Sequence, residues 1–354
     1  MLPRIIHIVK RFGCVGGMET YVWRLVHGLS EQGLSVSVIC EQVFDEVDSN
    51  IEVVRVETAM KKPRWKSMLT FRSRVEMLVR EKYQGQAVII HSHERSLLHH
   101  VTTFHGPPID IGDNLRWIKC LIPRIRAWKR MEREELLAPQ VQCVLPVSSI
   151  IQEALCSTYP ELTGKRIELG WPGVEKSSMC GNQRHSTTFS KGNFVFVGRE
   201  WKRKGLLRAV EIVRGFRDFN RNSTLDVYGV DSDEVPRAIR ELSWVRFHGW
   251  NAKIPWNQYD VLIHPAAREP FGMVVSEARA QGVAVLMSDR VGASDLQFEC
   301  VRMVPFDAPL DQWIAGLHAL LALTSRSIEV KWTWDDLVDL HSNVIYPQLE
   351  VKIL

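Results

Sequence analysis

Glu269 and Glu277 lie eight residues apart in the stretch Arg268-Glu269-Pro270-Phe271-Gly272-Met273-Val274-Val275-Ser276-Glu277-Ala278. The pattern predicts one carboxylate just ahead of a helix and the other inside it. Phe271, Gly272 and Met273 fall in the opening turn, where backbone N–H groups lack intrahelical partners and the helix dipole is positive, so an anionic ligand is favoured there. Two carboxylates beside an anion site point to a phosphorylated polyol as ligand. An ordinary helix with a surface acid and a first-turn acid has the same spacing, so the pair alone does not define a function.

Other side chains add to this chemistry. Gly198-Arg199-Glu200-Trp201-Lys202-Arg203-Lys204-Gly205 reads as a basic loop after a strand, and Arg199 and Lys204 there fit a diphosphate. Arg199 offers a fork of donors and Lys204 a point charge, a pairing that stabilises a leaving phosphate without metal. Glu277 is placed to hold the two hydroxyls of a ribose. His105 ends the apolar run Val101-Thr102-Thr103-Phe104 and precedes Gly106-Pro107-Pro108, which puts it on a loop at a strand terminus, where catalytic side chains gather.

Two metal readings are weaker. His91, His93, His99, His100 and His105 are dense, but no cysteine or second carboxylate shares a ligand spacing with them. Asp231-Ser232-Asp233 resembles a metal-chelating D-x-D, yet its place just after a strand fits a turn capping a helix from Arg237 to Leu242. No metal is expected.

The elements that must carry these residues follow from periodicity. A chain of 354 residues predicts two domains at about 150 residues each. Pro3 to Val9 reads as a strand, Arg11 to Gly17 as a glycine loop, Met18 to Leu29 as a helix with Tyr21, Val22, Leu25, Val26 and Leu29 on one face, and Leu34 to Cys40 as a second strand. That βαβ unit builds a parallel sheet, whose ligands bind at the carboxyl ends of the strands. The polar run 176–191 is the predicted linker. The pattern restarts with a strand at Asn193 to Val197 and a helix at Leu206 to Phe219, with further strands at Leu225 to Gly229, Val245 to Gly249, Val261 to His264 and Gly282 to Met287. A helix at Asp311 to Leu323 follows, and a helical tail from Trp332 to Tyr346 is long enough to cross back over the first domain.

Composition bounds the setting. No run reaches the roughly 18 to 20 apolar residues a membrane span needs, and the N-terminal apolar run is too short for a signal peptide. Seven scattered cysteines without a CxxC pair argue for a reducing compartment, so the expected location is cytoplasmic. The net charge of +4 is mild, but basic residues cluster. Lys61 to Arg74 is basic around an exposed-looking Trp65. Asn114 to Leu137 interleaves Arg116, Lys119, Arg124, Arg126, Lys129, Arg130 and Arg133 with Trp117 and Trp128, as one or two amphipathic basic helices suited to an anionic membrane surface. A solvated helix face reads the same way. A nucleic-acid partner is not expected, because no known motif accompanies the charge.

Taken in order, Gly16-Gly17-Met18-Glu19, Thr103-Phe104-His105-Gly106, Pro172-Gly173-Val174-Glu175, Phe196-Val197-Gly198-Arg199 with Lys204-Gly205, and Glu269-Pro270-Phe271-Gly272 to Glu277 resemble the motifs of the retaining GT-B glycosyltransferases of family 4 (glycosyl transferases group 1). That group includes lipopolysaccharide and polysaccharide transferases, and Glu269 and Glu277 match its E-x7-E motif. The resemblance covers most of the chain. It implies an α/β GT-B fold: two Rossmann-like doubly wound domains facing a central cleft. Residues 1–172 would form the acceptor domain, 173–330 the nucleotide-sugar domain, and 331–354 a helix returning to the first.

The resemblance also implies roles. Gly16 and Gly17 would let the backbone approach the donor phosphates, and Arg199 and Lys204 would neutralise the leaving diphosphate. Glu269 would contact the transferred sugar, Phe271, Gly272, Met273 and Val274 would offer amides, Glu277 would bind ribose, and His105 would face the anomeric centre and acceptor. The co-substrate would be a UDP-sugar and the acceptor a glycolipid or polysaccharide, with no cofactor. The departing phosphate would help deprotonate the acceptor, with retention of configuration. An anionic glycolipid acceptor gives the basic helix a reason to be basic and aromatic together, and so predicts peripheral attachment to the inner membrane. One departure is that Trp171-Pro172-Gly173 lacks the asparagine of the family's P-N-G turn. A non-catalytic nucleotide-sugar-binding scaffold and a sugar epimerase would share the domains, whereas a phosphorylase would need a pyridoxal phosphate lysine environment that is not evident.

Overall fold

The computed structural model describes residues 2–57, 62–109, 122–176, 192–251, 253–323, 327–351 and 353. It divides into two compact units, one of Met1–Gly173 with Trp334–Leu354 and the other of Val174–Thr333. Arg116, Trp117 and Lys119, and nearly all of the 176–191 linker, lie outside the described residues.

In the first unit β1 (Arg4–Ile8), β3 (Val36–Cys40), β5 (Glu52–Arg55), β6 (Val88–Ser92), β7 (Val101–Phe104), β8 (Cys143–Pro146) and β9 (Arg166–Ile167) form one parallel sheet in the order β5-β3-β1-β6-β7-β8-β9. β3, β6, β7 and β8 are buried along their whole length, as parallel strands covered on both faces must be. A short ribbon pairs β2 (Arg11–Phe12) with β4 (Gln42–Val43). Helix α1 (Gly17–Glu31) buries Tyr21, Val22, Leu25, Val26 and Leu29, the predicted stripe. Helices α2 (Arg64–Lys82), α3 (Pro123–Leu137) and α4 (Ser149–Thr158) complete the layers, and the Ser148 hydroxyl caps α4 by accepting from the Ile151 N–H. Trp65, expected to be exposed, is half-buried at the start of α2.

The second unit repeats the topology. β10 (Asn193–Val197), β11 (Thr224–Tyr228), β12 (Val245–Phe247), β13 (Val261–His264), β14 (Ala284–Ser288) and β15 (Val301–Val304) run parallel in the order β12-β11-β10-β13-β14-β15. Its helices are α5 (Trp201–Lys204), α6 (Leu206–Phe216), α7 (Arg237–Arg240), α8 (Met273–Ala280) and α9 (Leu310–Leu321). The core between sheet and helices holds Phe194, Phe196, Val213, Leu286 and Trp313. In both units the chain starts mid-sheet, builds outward and then reverses direction, so β1 and β6, and β10 and β13, flank the point where a crevice opens at the strands' carboxyl ends.

Two local expectations change. The basic stretch Trp201–Lys204 makes one helical turn rather than an open loop, because Gly205 takes φ +83° and starts α6 immediately after it. Asp231 and Asp233 do form a turn, a 3-10 segment at Ser232–Glu234. Neither caps α7, which Pro236 precedes without any side-chain cap.

The tail forms α10 (Trp334–Asp339) and continues through Leu340–Ile345 to Tyr346–Gln348 within the first unit. It packs along α1, where a Cβ on Gly28 would overlap Val338 and where the Gln32 amide donates to Asp339 Oδ1 at 2.8 Å.

Candidate functional site

In the second unit two loops meet beside β10 and β13. β13 ends at His264 and the chain runs on to Glu269, which is tied to the next strand's loop: its N–H donates to Arg290 O at 2.9 Å and its carbonyl accepts from Gly292 N at 3.0 Å. The residue is 8% exposed. One oxygen, Oε2, lies 3.3 Å from Lys204 Nζ and 3.2 Å from Arg203 Nη1, with His264 Nε2 at 3.6 Å. Burial alone would push this carboxyl up. The neighbouring His264, Lys204 and Arg203 outweigh it and hold Glu269 well below the usual carboxylate range. It is ionised at any physiological pH.

Glycines make that approach possible. A Cβ on Gly198 would overlap the Lys204 side chain, and a Cβ on Gly205 would overlap the carbonyl of Pro265. Gly272, at φ +93°, is the residue before α8, and a Cβ there would stand 3.2 Å from Glu269 Cγ and 3.0 Å from Val291 Cγ1. The left-handed turn at Gly272 starts α8 with Met273, so the first amides of the helix lie within four residues of the Glu269 carboxylate. Phe271, expected in the opening turn, stands one residue before this cap, and its carbonyl accepts from Ala293 N at 2.7 Å. Glu277 sits on the same helix. Burial raises its carboxyl and Lys204 opposes the rise, so one cation serves both acids.

Arg199 is exposed and makes no hydrogen bond or ion pair among the described residues. The guanidinium actually joined to Glu269 is that of Arg203, which also binds Glu200 Oε2 at 2.6 Å and the Arg268 carbonyl at 2.5 Å. Arg203 was not singled out from the sequence. Only the turn of helix at Trp201–Lys204 puts Arg203 and Lys204 together at one carboxylate.

In the first unit Gly16 is the residue before α1 and Gly17 its first residue. A Cβ on Gly16 would overlap the Glu19 carboxylate, which is 4% exposed and receives the Arg11 guanidinium, with Nε at 2.8 Å from Oε1. The acid nearest this helix start is therefore the protein's own, neutralised by Arg11.

His105 follows β7 as expected, and it stands among other histidines. Parallel pairing of β1 and β6 sets His7 beside His91, and the two-residue period brings His93 to the same face. His7 Nδ1 is 3.1 Å from His93 Nε2, and His93 Nδ1 is 3.2 Å from His105 Nε2. His91 is held by the Tyr346 and Thr103 hydroxyls, each at 2.8 Å, and His341 stacks on it at 5.3 Å. Burial holds all five imidazoles neutral, with His7 and His105 down to about 3 and His341 to about 4. The ring nitrogens of His7, His91 and His93 lie within 4.8 Å of one another, close enough to be tested as a metal site. Both nitrogens of His91 and both of His93 are already engaged by protein groups, which leaves a poor donor set. His99 and His100 lie apart, satisfied by Ser96 and the Glu135 carbonyl and by the Ile90 N–H.

On α3, Arg124, Arg126 and Arg130 are exposed, whereas Trp128 and Lys129 are half-buried. The Trp128 ring lies 5.1 Å beneath the Arg95 guanidinium, and Arg130 pairs with Glu134 at 2.7 Å. No helix among the described residues is long and apolar enough to cross a membrane.

Two parallel-sheet units of this topology are the architecture of glycosyltransferases of the GT-B class. The family model for Glycosyltransferase Family 4 matches residues 15–177, and that for Glycosyl transferases group 1 matches residues 191–322. The chain belongs to this glycosyltransferase family and has the GT-B fold. It is similar in structure to WaaG, a glycosyltransferase involved in lipopolysaccharide biosynthesis, with TM-score 0.73, 16% identity, and coverage of 97% of this chain and 96% of that one. It is also similar to the sucrose-phosphate synthase of Thermosynechococcus elongatus, with TM-score 0.71, 16% identity, and coverage of 98% and 99%. In sequence, 179 residues are 25% identical to an uncharacterized 41.2 kDa protein in the cps region of Klebsiella pneumoniae. That match spans 46% of this chain and about half, 48%, of the relative's length.

Proposed function

We propose that this protein transfers a hexose-type sugar from a nucleotide diphosphate sugar, a UDP-sugar foremost, to a glycan or glycolipid acceptor of lipopolysaccharide core or another cell-surface polysaccharide, with retention of anomeric configuration. The observation that carries the reading is the convergence of Lys204 and Arg203 on the buried Glu269 beside the start of α8. A permanently ionised carboxylate there accepts hydrogen bonds from sugar hydroxyls, and the adjacent cations answer the charge of a departing diphosphate without a metal ion. The amides of Phe271, Gly272, Met273 and Val274 are assigned to the sugar or phosphate oxygens. Glu277 takes the ribose. Arg199, exposed and unengaged, is available to the diphosphate. Gly16 and Gly17 let the backbone approach the donor phosphates, and His105 faces the anomeric centre and acceptor.

The acceptor class draws support from the relatives: one solved structure is of a lipopolysaccharide enzyme, and the curated relative comes from a cps region. The exposed Arg124, Arg126 and Arg130 of α3 support peripheral attachment to an anionic inner-membrane face, with a cytoplasmic location. The test is a thermal-shift screen over nucleotide sugars, because a true donor stabilises the folded protein by mass action: at 100 times its Kd, by about 2.7 kcal/mol. A raised melting temperature with one nucleotide diphosphate series, followed by transfer with retained configuration in product analysis, establishes the activity. No shift with any nucleotide sugar sinks it.

A further inference from the structure

The hydrogen-bonded row His7, His93, His105 has an open end and a closed end. His105 uses Nε2 toward His93, so Nδ1 is its remaining ring nitrogen, and Nδ1 has no hydrogen-bond partner among the described residues. At the far end, His7 is fully buried and its Nε2 has no hydrogen-bond partner among the described residues. A neutral imidazole has one N–H and one lone pair, so the tautomer of any member of the row sets that of the next.

Only two arrangements satisfy both contacts. In one, every ring donates from Nδ1 toward Nε2 of its neighbour: His7 to His93, and His93 to His105. His7 then buries a bare lone pair, and His105 presents an N–H at Nδ1. In the other every proton is on Nε2, so His7 buries an N–H with no acceptor and His105 presents a lone pair. Buried N–H groups without an acceptor are rarer in proteins than under-satisfied acceptors, which favours the first arrangement.

We propose that His93 and His7 are positioning residues that lock His105 as a neutral Nδ1–H tautomer, so that His105 meets its ligand as a hydrogen-bond donor and not as a general base. A donor at this position is matched to an oxygen acceptor, such as a sugar hydroxyl or ring oxygen. The assignment of that ligand rests on the proposed transferase reading; the tautomer assignment does not. The lock also leaves proton removal from the acceptor to another group, in keeping with deprotonation by the departing phosphate.

The test uses the full chain labelled with 15N-histidine. Long-range proton–nitrogen spectra at pH 7 report which ring nitrogen carries each proton, and His105→Gln and His93→Asn identify the signals. Protons on Nδ1 of His7, His93 and His105 are expected. A proton on Nε2 of His105, or an imidazolium there, overturns the proposal. His93→Leu removes the donor and is expected to free the His105 tautomer and lower kcat/KM for hydrolysis of a UDP-hexose about tenfold. In His93→Asn the side-chain amide replaces the Nδ1 donor, and most of that activity is expected to return. Equal loss in both variants, with the native tautomer kept, overturns the positioning role. If His105→Ala itself leaves hydrolysis untouched, the placement of His105 in the transferase site fails, while the spectra still decide the lock.

Discussion

Lys204 Nζ stands 3.3 Å from Glu269 Oε2, and Arg203 reaches the same oxygen at 3.2 Å from the preceding position on one turn of helix. This arrangement fixes what Glu269 does. A carboxylate held far below its usual range by adjacent cations carries no proton at neutral pH, so Glu269 is not a general acid. In the proposed reaction its role is to grip the ligand. Removing either partner should therefore damage turnover more than folding, because Lys204 and Arg203 both retain access to solvent. Glu269→Ala and Lys204→Ala are each expected to lower kcat by about 100-fold or more, with unchanged circular dichroism. Normal turnover in either variant would remove this site from the mechanism.

Gly198→Ala and Gly205→Ala separate function from stability. At Gly198 the obstacle to a new Cβ is the flexible Lys204 side chain, which can move aside and lose its place. The backbone at φ +159° borders the extended region, so the expected outcome is lost transfer with a smaller loss of stability than at Gly205. At Gly205 the obstacle is the Pro265 carbonyl, and the backbone is left-handed at φ +83°. That substitution should cost roughly 1–3 kcal/mol of stability, read as a lower urea midpoint. If Gly198→Ala lost as much stability as Gly205→Ala, the distinction would be wrong.

Acid should destabilise the protein before it reaches the carboxylate range. His7, His91, His93, His99, His105 and His341 are all depressed by burial, to about 3 or 4 where a value is given. The unfolded chain binds protons on these rings near 6.5 and the folded chain does not, so their contribution is complete above about pH 6.5 and falls as pH drops through that value. Each group is worth up to about 1.4 kcal/mol per pH unit. Glu94 and Glu135, raised by burial to about 7, act in the opposite direction over the same window, but they are fewer. The urea midpoint is expected to be clearly lower at pH 5 than at pH 7.5; an equal or higher midpoint at pH 5 contradicts the neutral cluster.

Membrane attachment through α3 should be electrostatic. Vesicles containing anionic phosphatidylglycerol are expected to retain the protein at low ionic strength and release it as salt screens the attraction, with a Debye length of about 8 Å at 0.15 M. Replacing Arg124, Arg126 and Arg130 with glutamine should weaken retention by roughly 1 kcal/mol for each charge in contact. Retention that ignores both salt and these substitutions would count against this surface.

The chain's own letters set a great deal. Apolar runs of period 2 and stripes of period 3.6 are local properties, so the strand at Asn193–Val197, the strand at Val261–His264 and the buried face of α1 were readable residue by residue. The order of the glycine turns, His105, Lys204, Glu269 and Glu277 likewise carried the family, because the group's motifs are short and contiguous.

What sequence spacing could not supply was register and the exact course of turns. His7 and His91 are 84 positions apart and become neighbours only because β1 pairs with β6 in one particular register, and the pairing of β6 with β7 brings His93 into reach of His105. Arg203, which the sequence did not single out, joins Lys204 at Glu269 because a single residue, Gly205, ends one turn of helix and aims the two preceding cations at the same oxygen. Sequence by itself determined which chemistry this protein carries. Tertiary structure decided which atoms share it, because hydrogen bonds and ion pairs depend on ångström-scale separations that are created only when strands distant in the chain are brought side by side.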